Sequence, residues 1–171
     1  MPLKKPKDVP KIPKTRKKKT EAVYSAIPEK RPDKLEYICK ALFRYDRLKK
    51  KQFSVFAIET AAEFTNFIYE VSLRVLQNKQ VVNIIIMGLK ARTDIVPQVQ
   101  PARGEYLLED LVGEFTLNIY KQDGAVNSGI FHLNIYNKTI NLVKEYKPQK
   151  KNNRLFCRFE VAENEFSFPV Q

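Results

Sequence analysis

One histidine and two cysteines are the side chains of this chain best suited to nucleophilic or metal chemistry, and their placement speaks against both. His132 stands in "FHLNIY", with Asn134 and Tyr136 as its partners on that face of the alternation. A Cys–His or Ser–His pair would therefore need Cys157 or a remote serine to meet it through the fold. Cys39 and Cys157 are far apart and no Cys-x-x-Cys is present, so the paired spacing of a structural zinc site is missing. "GAVNSGIF", residues 124–131, has the glycine spacing of a phosphate loop, but Ile130 and Phe131 stand where Lys and Ser or Thr would contact phosphate and magnesium. It reads as a turn between strands. Glu105 and Glu109 could share a helical face as an acid–base pair, yet no apolar run surrounds either to raise its pKa. There is no tryptophan to line a carbohydrate site. The expectation is a non-enzymatic protein without metal or cofactor.

The chemistry that remains is electrostatic. Thirty-one Lys and Arg against nineteen Asp and Glu give a net charge of +12, which favours polyanionic or acidic partners. Residues 1–20 hold +8 of it: Lys4, Lys5, Lys7, Lys11, Lys14, Arg16, Lys17, Lys18 and Lys19 against Asp8. Pro2, Pro6, Pro10 and Pro13 interrupt any continuous helix, and the apolar content is too low for a core. The sequence thus predicts an extended, flexible basic arm and linker over residues 1–32. Two further clusters each carry +4: Arg44, Arg47, Lys49, Lys50 and Lys51 against Asp46, and Lys144, Lys147, Lys150, Lys151 and Arg154 against Glu145. Acidic side chains gather at Glu105, Glu109, Asp110 and Glu114. This layout reads as dipolar, with a basic side that grips a polyanion and an acidic side turned away.

These groups must be positioned by one domain, residues 33–171, which is long enough for a single core. "DKLEYICKALFRYDRLKKK" places Leu35, Ile38, Cys39, Leu42 and Phe43 at helical spacing behind an Asp33/Glu36 capping box, predicting a helix over about 34–48. The alternation of Tyr37, Cys39, Ala41, Phe43 and Tyr45 offers a strand instead. After Lys51 the pattern turns to β: "QFSVFAIE", "FIYEVSLRVL" and "VVNIIIMGLK" read as strands, with a helix over 61–76 as the rival for the second. "ARTDIVPQVQPARG", residues 91–104, reads as a long loop and "EYLLEDLV" as a helical turn.

"FTLNIY" (115–120) and "FHLNIY" (131–136) repeat one pattern. Their period of two puts Phe115, Leu117, Ile119, Phe131, Leu133 and Ile135 on a core face, as the two arms of a hairpin. Tyr120, His132 and Tyr136 then lie on the other face, where rings on an open sheet can stack nucleic-acid bases. "TINLVKEY", "RLFCRFEV" and "FSFPV" continue the meander.

The expected fold is mainly β: an antiparallel sandwich or barrel of about eight strands with a short N-terminal helix, or alternatively an oligonucleotide-binding-type barrel with additional strands. Without a signal peptide or an apolar run of membrane-spanning length, a cytoplasmic protein is expected. The expected function is nucleic-acid association, the arm and the sites Lys49, Lys50, Lys51, Lys150, Lys151 and Arg154 contacting RNA or DNA while the β-domain positions or assembles. The alternative is an accessory or structural subunit of a larger protein assembly, its arm docked on an acidic partner or an anionic membrane surface.

Overall fold

The computed structural model describes residues 15–93 and 95–170. Among them are one helix, α1 (Thr15–Ser25), and nine strands: β1 (Tyr37–Asp46), β2 (Lys51–Phe64), β3 (Ile68–Asn78), β4 (Val81–Arg92), β5 (Gln100–Leu108), β6 (Val112–Lys121), β7 (Val126–Asn134), β8 (Thr139–Tyr146) and β9 (Cys157–Val161). One 3₁₀ turn, Glu163–Glu165, follows. The strands form one sheet in the order β8-β7-β6-β4-β3-β5-β2-β1-β9, curled into a nearly closed barrel. Period-two alternation sends Cys39, Ala41, Phe43, Phe56, Ile58, Val82, Ile84, Phe115, Leu117, Phe131 and Leu133 into one continuous core.

The chain reverses direction with every strand, but β5 inserts between β3 and β2 and β6 flanks β4. Three neighbouring pairs, β1/β9, β3/β5 and β4/β6, are therefore parallel, which corrects the all-antiparallel expectation. The hairpin of the repeated hexapeptides is present: β6 pairs antiparallel with β7, Phe115 opposite Phe131.

Three sequence readings are corrected and one rival is excluded. Residues 37–46 form a strand rather than part of a helix over 34–48, because both faces of β1 are buried. Cys39, Ala41 and Phe43 point inward, while Leu42 joins Phe53, Val55 and Ala57 on the outer wall beneath Ala162 and Phe166. Burial on both faces erases the alternation and leaves an apolar run that fits helical spacing equally well. The helix is instead α1, inside the stretch read as extended arm and linker. No proline falls between Pro13 and Pro28, and Lys, Glu and Ala are good helix formers. The rival helix over 61–76 is excluded by β2 and β3. Residues 105–108 of the "helical turn" and 100–104 of the long loop are strand β5, in which Ala102, Gly104, Tyr106 and Leu108 alternate with Arg103, Glu105 and Leu107. Small residues at 102 and 104 hid that pattern, and Gly104 is required: a Cβ there would lie 2.2 Å from the Val71 carbonyl oxygen of β3.

No ladder joins β8 to β9. Side chains close the barrel there. Asn127 of β7, fully buried, accepts the Phe156 and Cys157 N–H groups at Oδ1, both at 2.8 Å, and donates from Nδ2 to the Val126 and Arg154 carbonyls at 2.8 and 3.0 Å. Both lone pairs and both donors of the amide are filled. Glu145 of β8 accepts the Phe159 N–H at 3.1 Å, and the Phe159 ring occupies the space a side chain at Gly129 would need. Arg154, 1% exposed, sets its guanidinium 3.0 Å from Asp123 and 3.5 Å from Glu36.

On the outer wall, Arg103 meets Glu59, Glu105 and Glu165 within 2.7 Å, and Lys40 reaches Glu59 at 2.8 Å and Glu165 at 3.5 Å. Arg103 beside Glu165 holds that carboxyl below its ordinary 4.5. Burial pushes Glu105 upward, but Arg44 and Arg103 outweigh it and the carboxyl ends lower. Burial also opposes ionisation of Asp123, outweighed by the Ala125 N–H and Arg154.

Two outcomes follow from this arrangement. Asn127→Ala orphans two buried N–H groups and the Arg154 carbonyl, at about 1–3 kcal/mol each, so urea unfolding should show a loss of about 3–5 kcal/mol; a loss under about 1 kcal/mol contradicts the closure role. Carboxyls with lowered folded pKa values contribute stability that is complete above their unfolded values and is lost as pH falls through the folded ones. The melting temperature should therefore hold from neutral pH down to about 5 and fall below about 4.5, less steeply in Arg103→Gln; a flat profile to about pH 2 contradicts it.

Candidate polyanion interface at one end of the barrel

Because direction alternates along the chain, the β2–β3, β4–β5, β6–β7 and β8–β9 connections and the segment entering β1 lie at one end of the barrel. The β1–β2, β3–β4, β5–β6 and β7–β8 connections lie at the other. Helix α1 is fixed to the first end, which is here termed the arm end. Thr20, Val23 and Tyr24 recur at three- and four-residue spacing and form its docking face. Thr20 is buried, and the Tyr24 ring stands edge-on against Tyr120 of β6, centroids 4.8 Å apart at 68°. Burial raises both phenols above their ordinary pKa. Past the helix, Ala26 lies against Gly124, where φ is +89° and a Cβ would fall 2.5 Å from the Ala26 carbonyl oxygen.

Lys150 ties these pieces together. Its ammonium donates to the Tyr24 carbonyl at 3.0 Å, in the last turn of α1, and to the Gly124 carbonyl at 2.8 Å. A cation at a helix C-terminus meets unsatisfied carbonyls and the negative end of the macrodipole. Burial lowers the pKa of this ammonium. Asn153 secures the same loop, donating from Nδ2 to the Val126 and Pro148 carbonyls, both at 2.8 Å.

The predicted site residues thus separate. Lys4, Lys5, Lys7, Lys11 and Lys14 lie outside the described residues. Arg16, Lys17, Lys18 and Lys19 belong to α1, and Lys19 is exposed. Lys150 and Arg154, expected to face a polyanion, turn inward: one anchors α1 and the other is enclosed with Asp123 and Glu36. Lys151 is exposed beside them, as are Lys30, Lys34, Lys144 and Lys147 at this end. Lys49 and Lys50 sit in the β1–β2 turn at the opposite end, and Lys51 opens β2 there. Glu109 and Asp110 occupy that opposite end too, with Lys51 2.7 Å from Glu109. The dipolar reading is corrected accordingly: the acidic residues are mixed with the 49–51 lysines, not set apart from them.

The three candidate stacking residues do not form one platform. Tyr120 is half-buried under Tyr24 at the arm end, whereas His132 lies near the other end of β7 and Tyr136, 86% exposed, in the turn beyond it. With Tyr120 opposite Val126, His132 is six residues further on, about 20 Å along the strand. His132 faces outward while Cys39 and Cys157 are buried inside, where burial pushes both thiols up and away from thiolate character. No metal-holding group of His, Cys, Asp or Glu occurs among the described residues, and no helix there is long and apolar enough to cross a membrane.

Sequence reasoning missed the anchoring of α1. The signal was present in the Thr20, Val23 and Tyr24 spacing, masked by four preceding cations. Searches among protein-family models, curated proteins and solved structures return no match to this chain.

Lys150→Ala should free α1 while sparing the barrel. Amide exchange over residues 19–26 should rise at least about tenfold, with β1–β7 protection unchanged. Unchanged exchange in α1 contradicts the anchor.

Proposed function

We propose that this protein binds a polyanion, RNA or DNA, without catalysing a reaction on it, through its N-terminal basic residues and the arm end of the barrel. The observation that carries this reading is continuity. Arg16, Lys17, Lys18 and Lys19 follow the Lys4–Lys14 cations in sequence and open a helix anchored beside exposed Lys30, Lys34, Lys144, Lys147 and Lys151. Residues 15–36 and 144–155 together hold twelve Lys and Arg against five Asp and Glu; with Lys150 and Arg154 turned inward, ten cations remain against five acids. Side chains of this kind contact phosphates and carry no fixed set of base-reading groups, so binding is weakly dependent on sequence. The β-domain serves to hold the cations in place and to position the complex.

Each phosphate neutralised releases counterions, lowering log K against log salt by about 0.9 per contact on duplex and about 0.7 on single strands. The full chain should give a slope of about 4 to 8. Deleting residues 1–14 removes Lys4, Lys5, Lys7, Lys11 and Lys14 and should reduce the slope by about 3 to 4 with no change in melting temperature. Lys49→Ala with Lys50→Ala, at the opposite end, should leave the slope unchanged. No measurable affinity for RNA or DNA at about 50 mM salt refutes the proposal. A specific protein complex lost on deleting the arm would then identify an accessory subunit instead.

A further inference from the structure

A groove of about 440 Å³ lies between α1 and the outer wall of β3 and β4, within the roughly 300–1,000 Å³ of small-molecule sites. Val23 and Ala26 of the α1 region line one side, Ile85 and Met87 of β4 the other, with Arg74 and Lys19 supplying positive charge. Arg74 is the informative residue. Of the buried or partly buried arginines among the described residues, Arg44 meets Glu105, Arg103 meets Glu59, Glu105 and Glu165, and Arg154 meets Asp123 and Glu36. Arg74 is likewise partly buried, yet no carboxylate of the described residues pairs with it. Its guanidinium nitrogens are open to solvent at the groove beside apolar walls, and a bound carboxylate would complete its planar fork. None of the groove's lining residues is aromatic, so a flat base finds no stacking partner there, whereas an alkyl chain finds Val23, Ile85 and Met87.

We propose that this groove binds an amphiphilic carboxylate, a fatty-acid anion, with its carboxylate on Arg74, Lys19 at the mouth and its chain along Val23, Ala26, Ile85 and Met87. The site stands on the unpaired Arg74 and not on the polyanion reading, and the two are tested with different ligands. Tyr24 supplies a reporter: its buried hydroxyl has no hydrogen-bond partner, and its phenol feels the Arg74 charge.

The experiment titrates the full chain with dodecanoate below its micelle concentration, by calorimetry and by tyrosine emission. Saturable binding is expected, at least about tenfold tighter than for dodecanol or dodecyltrimethylammonium. Arg74→Gln should weaken dodecanoate at least about tenfold without moving the melting temperature, while Arg74→Lys, which keeps the charge and loses the planar fork, should recover only part of the affinity. Equal affinity for the cationic amphiphile, no saturable binding, or undiminished binding by Arg74→Gln overturns the proposal. So does binding that emerges only after residues 1–14 are deleted, since the groove would then belong to the chain's own arm.

Discussion

The barrel depends on one buried amide. Nine strands curl far enough to bring β8 beside β9, but the backbone ladder stops short and the unpaired N–H groups of residues 156 and 157 must be satisfied inside the protein. Asn127 does this with all four of its hydrogen-bonding positions, and in doing so holds the Arg154 carbonyl. Fixing that backbone places the Arg154 side chain between Asp123 of the β6–β7 turn and Glu36 at the entrance to β1. A buried cation survives only when its partners offset the lost hydration, and removing one leaves the other charges stranded. Segments from four parts of the chain are locked by this cluster.

The same cluster shapes the surface. With Arg154 and Lys150 engaged internally, the loop after β8 seats α1, and the basic side chains exposed at this end are Lys19, Lys30, Arg31, Lys34, Lys144, Lys147 and Lys151. At the other end of the barrel, Lys51 is matched by Glu109. In the proposed function, the field that meets the polyanion is that of the N-terminal cations together with exposed Lys30, Lys34, Lys144, Lys147 and Lys151. Fields of this kind raise the local concentration and the on-rate of an anionic partner.

Much of this was legible in the sequence. Period two in "FTLNIY" and "FHLNIY" placed six side chains correctly on a core face because β6 and β7 each have one dry face and one polar one. The β1 segment misled for the opposite reason: a second apolar layer from Phe53, Val55, Ala162 and Phe166 covers its outer face, and a strand buried on both sides has no period left to read. The parallel neighbours could not be inferred, since they arise from the lateral placement of β5 and β6 rather than from any local pattern. For the candidate site, composition located the cations but not their roles. Lys150 and Lys151 are adjacent and chemically alike, yet one caps a helix and the other is free to meet a ligand. Only the positions of the Tyr24 and Gly124 carbonyls distinguish them.

If the polyanion binds as proposed, it contacts the arm end of the barrel. Amide chemical-shift mapping of the full chain with a mixed-sequence single-stranded oligonucleotide locates that contact. Perturbations are expected over α1, residues 30–34 and 144–151, with the 47–51 turn silent. Perturbation centred on the 47–51 turn, or none anywhere, would contradict it.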